Sequence, residues 1–215
     1  EETIETHLAL GVLFRKQGKI DQAIKLHENI ISKKELKEHH YYQTLEELAE
    51  DYYTAGLYDK SEEIFKKLID IKGHKITSLK KLMQIYEYTR EWDKALSTIE
   101  KLNNIDPLNE YKKNIPHYYC QISEKHIIDN NLEKAELYIQ KAETTKSNSS
   151  RIIFVSIQIA LKKEDLKKAL RLYKTLCEIS DLGHQILLPS LINIAKQNNQ
   201  LSLVSEVIKE ICNWR

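Results

Sequence analysis

Very little in this chain can break a helix: among 215 residues there are 5 Gly and 3 Pro. That scarcity excludes a β-rich or linker-rich protein and suits continuous helices. No apolar run approaches the ~20 residues that a membrane helix needs. Cysteine is also sparse. Cys120, Cys177 and Cys212 form no CxxC pair, which argues against a zinc site or redox motif. Three scattered thiols fit a reducing compartment, and each is expected in the core. Charge of one sign is absent too, with 33 basic against 32 acidic residues and a net +1. Such a balance leaves no electrostatic footprint for nucleic acid. Nor is there a nucleophile–base pairing, a phosphate loop or metal-ligand spacing. The expectation is therefore no enzyme, with no catalytic, cofactor-binding or metal-ligating residue and no cofactor.

What is present is repetition. A small residue with a bulky one four places on recurs at Ala23, Ser61, Ala95, Ala135 and Ala169, and a weaker sixth copy falls at Val204. Subtracting neighbours gives steps of 38, 34, 40, 34 and 35 residues. A helix–turn–helix unit repeating at about 34 residues is the tetratricopeptide period. The spacing predicts an all-α protein, a right-handed α-solenoid of about six helix–turn–helix units. They are expected over 4–37, 42–75, 76–109, 116–149, 150–183 and 185–215, as one array over 1–215 with no domain boundary. Gly18 and Gly56 close first helices as left-handed caps, and Asn130 replaces the glycine in the fourth unit. Asp21, Asp59, Asp93 and Glu133 open second helices, where a negative charge complements the helix dipole. The surplus of the two long steps is expected near Lys33–His39 and Asn109–Asn114. Lys146–Ser150 is read as a loop between units.

Within the first helix, Leu10, Gly11 and Phe14 read as a small residue allowing close approach beside an aromatic that fills the gap. His27 and His126 stand where other units carry a large apolar side chain. Neither has an Asp, Glu or Cys at ligand spacing, so each is read as a packed histidine with one nitrogen satisfied. His39-His40-Tyr41-Tyr42 is read as a helix start. The abundant tyrosines are read as core and groove aromatics. First helices of such units line the concave surface, where solenoids bind partners. Residues there off the packing stripe form the candidate partner surface: Arg15, Lys16, Glu46, Glu50, Tyr53, Lys80, Gln84, Glu87, Tyr88, His117 and Glu124. Tyr and Arg are the expected hot spots. Leu8 and Val12 on the first unit's groove face argue against a basic carboxylate clamp. Leu187, Leu188, Leu191 and Ile194 are expected to be available for a seventh unit or a homodimer.

Several segments are more specific than a generic array. His7-Leu8-Ala9-Leu10-Gly11 continues through Leu13-Phe14-Arg15, Gly18, Asp21, Ala23-Ile24 and His27. Asp51-Tyr52-Tyr53-Thr54-Ala55-Gly56-Leu57-Tyr58-Asp59-Lys60 is similar to a "DYxxAGLYDRAE" stretch. Leu82-Met83-Gln84-Ile85-Tyr86 is followed by Glu91-Trp92-Asp93-Lys94-Ala95. Ile115-Pro116-His117-Tyr118-Tyr119-Cys120 is similar to "IAHFYCELA", with Pro116 as a departure. Together they resemble the cytoplasmic repeats of the lipopolysaccharide assembly protein B family over the first two-thirds of the chain, thinning after Ser147.

The resemblance implies a Gram-negative inner-membrane protein with its repeats at the cytoplasmic face. It also implies a membrane helix before the repeats and a rubredoxin-like iron or zinc ribbon after them. Neither lies in this sequence, which starts Glu1-Glu2 without Met, so a soluble piece of a longer protein is expected. By resemblance the partners are proteins: the lipid A-committing deacetylase LpxC, an FtsH-type membrane protease that degrades it, and lipopolysaccharide assembly enzymes. The alternative is a tetratricopeptide scaffold in another envelope or regulatory complex.

Overall fold

A computed structural model describes residues 3–33, 36–106, 110–145, 149–180 and 183–213. The chain falls into two compact units, Glu1–Asn109 and Glu110–Arg215. The first contains three helix pairs: α1 (Ile4–Lys16) with α2 (Ile20–Ile31), α3 (Glu38–Thr54) with α4 (Tyr58–Leu68), and α5 (Lys75–Thr89) with α6 (Trp92–Ile105). The second opens on a 3-10 turn, Glu110–Asn114, and contains α7 (Ile115–Ile128) with α8 (Leu132–Thr144), α9 (Ser150–Lys162) with α10 (Leu166–Ile179), and α11 (Gly183–Gln197) with α12 (Leu201–Asn213). No strand occurs among the described residues.

The turn inside each pair sets the period. A residue with positive φ recurs at Gly18, Gly56, Arg90, Asn130, Glu164 and Asn199. Each stands five positions before the small residue of its unit, from 18 and 23 through to 199 and 204. A left-handed residue lets the chain reverse while the last carbonyls of the first helix stay bonded. Thus Lys19 N–H donates to the Phe14 carbonyl, Leu57 to Tyr52, Glu91 to Tyr86, Asn131 to His126, Asp165 to Ala160 and Gln200 to Ala195.

Behind that turn the small residue lets the two helices close on each other. Ala23, Ser61, Ala95, Ala135 and Ala169 are fully buried, and Val204 nearly so. The buried Ser61 and Ser123 hydroxyls donate to the Ala49 and Ala135 carbonyls of the paired helix, at 2.8 and 2.9 Å. Asp21, Asp59, Asp93 and Glu133 all lie in first turns. Asp165 caps α10 through its carboxylate and Ser149 caps α9 through its hydroxyl. Of the Lys146–Ser150 segment, residues 146–148 lie outside the described residues. Of the first surplus, residues 34 and 35 lie outside the described residues, and its end enters α3, at 17 residues the longest helix described. The second enters the Glu110–Asn114 turn, while residue 109 lies outside the described residues.

Three expectations are corrected. Leu10 is exposed and Leu8 takes the buried place on α1, because the helix turns Leu8 and Gly11 toward the core together. Cys120 is buried, and burial pushes its thiol up to about 11, yet Cys212 is exposed on the outer side of α12 and Cys177 is half-buried. Leu187 and Leu191 are buried in their own unit with Leu166, Leu170 and Tyr173, and Leu188 and Ile194 pack partly against that cluster. They are core side chains, not a bare face awaiting a seventh unit.

Candidate protein-binding face

In the first unit the first helices of the pairs are tied side by side by charge. Arg15 on α1 reaches α3, donating through Nη2 to Glu47 Oε2 at 2.6 Å and through Nη1 to Asp51 Oδ1 at 2.6 Å. Its Nη1 also reaches the Glu47 carbonyl at 3.1 Å. Burial opposes the guanidinium charge, but the hydrogen bonds it donates to Glu47 and Asp51 outweigh that, and its pKa is raised. On the other side of Asp51, Oδ2 lies 2.5 Å from His27 Nδ1. Glu50 pairs with Lys81 of α5 at 2.7 Å, and Glu46 meets His74, just before α5, at 2.6 Å.

Of the residues expected to meet partners, Arg15, Glu46 and Glu50 therefore make ties between helices. Lys16 is exposed, and Lys80, Gln84 and Glu87 are half-buried along α5. Tyr53 and Tyr88 come together through a residue the sequence reading passed over. Tyr58, first in α4, packs at 5.6 Å from the Tyr53 ring and 4.6 Å from Tyr88. Its phenol is pushed up to about 12, first by a hydrogen bond with Tyr88 and then by burial. Tyr88 stays 66% exposed, and Lys81 lies 5.8 Å above the Tyr53 ring. Only first-helix positions were considered in sequence, so a residue opening a second helix escaped. Its place directly after the Gly56 turn was the available signal.

A shallow pocket of about 240 Å³ lies between α1 and α3, floored by Leu8, Ala9 and Val12 and edged by Glu5, Gln43 and Glu47. In the second unit His117 is exposed on α7, and Glu124 pairs with Arg151 of α9 at 2.6 Å. His126 is half-buried and stacks on Tyr138 with centroids 5.7 Å apart.

A further polar unit repeats across the pairs. Tyr52 donates to Glu28 at 2.7 Å beneath Lys60, and 34 residues later Tyr86 donates to Glu62 at 2.9 Å beneath Lys94. Both phenols are raised, by burial first and the carboxylate second, Tyr52 to about 12. Among the described residues no group of three or more His, Cys, Asp or Glu is arranged to hold a metal ion. No described helix is long and apolar enough to cross a membrane.

Stacked helix pairs with this turn and this small-residue seat define a tetratricopeptide-repeat protein. A family model described as tetratricopeptide repeat matches residues 6–39. Among solved structures, a tetratricopeptide repeat protein from Parabacteroides merdae aligns with a TM-score of 0.52 at 16% identity, covering 98% of this chain and 79% of that one. MamA AMB-1 aligns with a TM-score of 0.50 at 16% identity, over 86% and 96% of the two chains. These likenesses show the fold, a tetratricopeptide α-solenoid.

Sequence relatives are more particular. The chain is 32% identical to lipopolysaccharide assembly protein B of Escherichia coli K12 over 167 residues, which is 78% of this chain and 43% of that protein. It is 28% identical to the protein of the same name from Haemophilus influenzae over 196 residues, 88% and 49% of the two chains. The resemblance read from the motifs is thus found along most of the chain. The chain spans about half the length of these curated relatives. The tetratricopeptide repeat and relatives of this name point to a non-catalytic repeat scaffold.

Proposed function

We propose that this chain is the partner-holding segment of an adaptor in lipopolysaccharide assembly, working at the cytoplasmic face of the inner membrane. It brings the deacetylase that commits precursor to lipid A to a membrane protease of the FtsH type, and gathers assembly enzymes beside them. Its contribution is local concentration: two partners held on one chain meet far more often than two in free solution. The observation that carries this reading is the 32% identity to lipopolysaccharide assembly protein B over 167 residues. The exposed Tyr88, the Tyr53–Tyr58–Tyr88 cluster and the α5 side chains Lys80, Gln84 and Glu87 supply the contacting face of the first unit. Aromatic side chains of this kind bury large area at low entropic cost. The exposed His117 is the corresponding side chain of the second unit, while Glu124 is engaged with Arg151.

Arg15 is engaged within the fold, so the test uses Tyr88→Ala and Lys80→Glu. Binding of the chain to the purified deacetylase and protease is measured by biolayer interferometry. The expected result is binding of the unsubstituted chain to both, and at least a fivefold loss toward one of them in the double variant. Absence of binding to either partner overturns the adaptor reading. Unchanged binding by the variant overturns the assignment of the face alone.

A further inference from the structure

Away from the first-helix face, the second unit holds a cavity of about 220 Å³ between α8, α9 and α10. Its floor is apolar, formed by Ile139, Ile159 and Leu172. Its polar lining is Glu136, Gln140 and Glu143 from α8, Ser156 from α9 and Lys168 from α10. Ser156 is 8% exposed, and its Oγ is buried with no hydrogen-bond partner. A buried hydroxyl left unpaired has given up its water for nothing, so this oxygen marks a place where something polar belongs. The side chains of Glu143 and Gln140 make no ion pair or hydrogen bond with another described residue.

Charge decides what fits. Glu143 lies in the last turn of α8, where the negative end of the helix dipole also favours a cation. Lys168 lines the cavity as well, but its charge is already directed to Glu136, 3.7 Å away, which Lys163 meets at 2.6 Å. Carboxylate, amide oxygen and hydroxyl are three acceptors, and an ammonium group offers three donors. Lysine stems bury their methylenes along apolar surface while the head stays among polar groups, which matches a floor of Ile139, Ile159 and Leu172. The volume is several times the ~30 Å³ share of one water.

We infer that this cavity is a second docking site, which receives a lysine side chain from a protein partner. The stem lies on Ile139, Ile159 and Leu172, and the ammonium donates to Glu143, Gln140 and the unpaired Ser156 hydroxyl. The site is built entirely within the second unit and does not depend on the adaptor reading above.

The test titrates the ¹⁵N-labelled full chain with acetyl-Gly-Lys-Gly-amide and follows its amide signals by NMR. Counterparts carrying norleucine or arginine in place of lysine, and free spermidine, are titrated in parallel. Saturable shifts at residues 139–143, 156–159 and 172 are expected with the lysine peptide. Affinity is expected to fall at least fivefold for the norleucine peptide and for Glu143→Gln, and measurably for Ser156→Ala. Equal response to norleucine reduces the cavity to an apolar hollow and overturns the inference. A preference for arginine or spermidine overturns the assignment to lysine, and no saturable shift leaves water as the occupant. Glu143 is exposed, so Glu143→Gln keeps the fold and remains decisive even if Ser156→Ala perturbs packing.

Discussion

His27 Nδ1 and Asp51 Oδ2 face each other at 2.5 Å, and both side chains have 0% exposure. They stand where the following α4–α5 contact puts Phe65 and Ile85, both fully buried hydrocarbon side chains. The polar pair is therefore an exchange inside an apolar seat, and it is held from outside by Arg15. Removing one member of such a set costs far more than the set is worth, because the survivors are left as buried polar groups without their partner. Asp51→Ala strips both His27 and Arg15 of their carboxylate. The expected loss is about 3 kcal/mol in urea unfolding, with Asp51→Asn losing less because the amide oxygen still accepts one bond. A loss below about 0.5 kcal/mol, the range of ordinary surface changes, would show that the set is not coupled.

Gly11 exists for the sake of that histidine. A Cβ placed on it would lie 2.3 Å from His27 Nε2. Helix propensity alone favours Gly11→Ala by about 0.8–1 kcal/mol. Overpacking a buried seat costs about 1–3 kcal/mol, and the ring is pinned by Asp51 and has nowhere to swing. Gly11→Ala is expected to lower the melting temperature in the native background and to raise it in His27→Ala. An equal response in both backgrounds would sink the proposed clash.

Arg90 and Glu164 hold left-handed backbone at φ 60 and 57 where the first two units use glycine. A side chain there is strained, and glycine relieves it. Arg90→Gly and Glu164→Gly should each stabilise by a few tenths of a kcal/mol up to about 1, after the entropy that glycine adds to the unfolded chain. Chemical denaturation of the two variants decides it. Destabilisation of both would mean that the side chains contribute more than the strain costs.

Glu62 is buried, which by itself raises its pKa, but hydrogen bonds from Lys66, Tyr86 and Lys94 outweigh that and hold it below the ordinary 4.5. A folded-state pKa below the unfolded one means stability that is present above about pH 4.5 and lost as pH falls through the depressed value. Glu62→Gln should therefore flatten the pH dependence of unfolding between pH 5 and the acid limb. The check is the denaturation midpoint of both proteins at several acidic pH values. Parallel curves would remove Glu62 from the acid response.

The period, the turns and the fold class were legible in the chain because each depends on one residue type at one place. A small residue at 23, 61, 95, 135 or 169 is a local demand of two helices in contact, and local demands repeat with the unit. Turns at Arg90 and Glu164 were harder to read, since neither residue type advertises positive φ. His27 was read as a packed histidine, but its carboxylate was sought at ligand spacing. Asp51 lies 24 residues away, one helix beyond the turn, and reaches it only because α2 and α3 pack together.

What the amino-acid order determined alone was the sequence of helix pairs, their caps, and the resemblance that ties them to lipopolysaccharide assembly protein B. Tertiary structure alone decided which charged side chains are spent within the fold. Arg15, Glu46 and Glu50 read as partner contacts in one dimension, and in three they tie helix to helix, while Tyr58 joins Tyr53 and Tyr88. The reason is physical: backbone periodicity reports which face a residue occupies, whereas its pairing depends on what the neighbouring helix brings within ~4 Å.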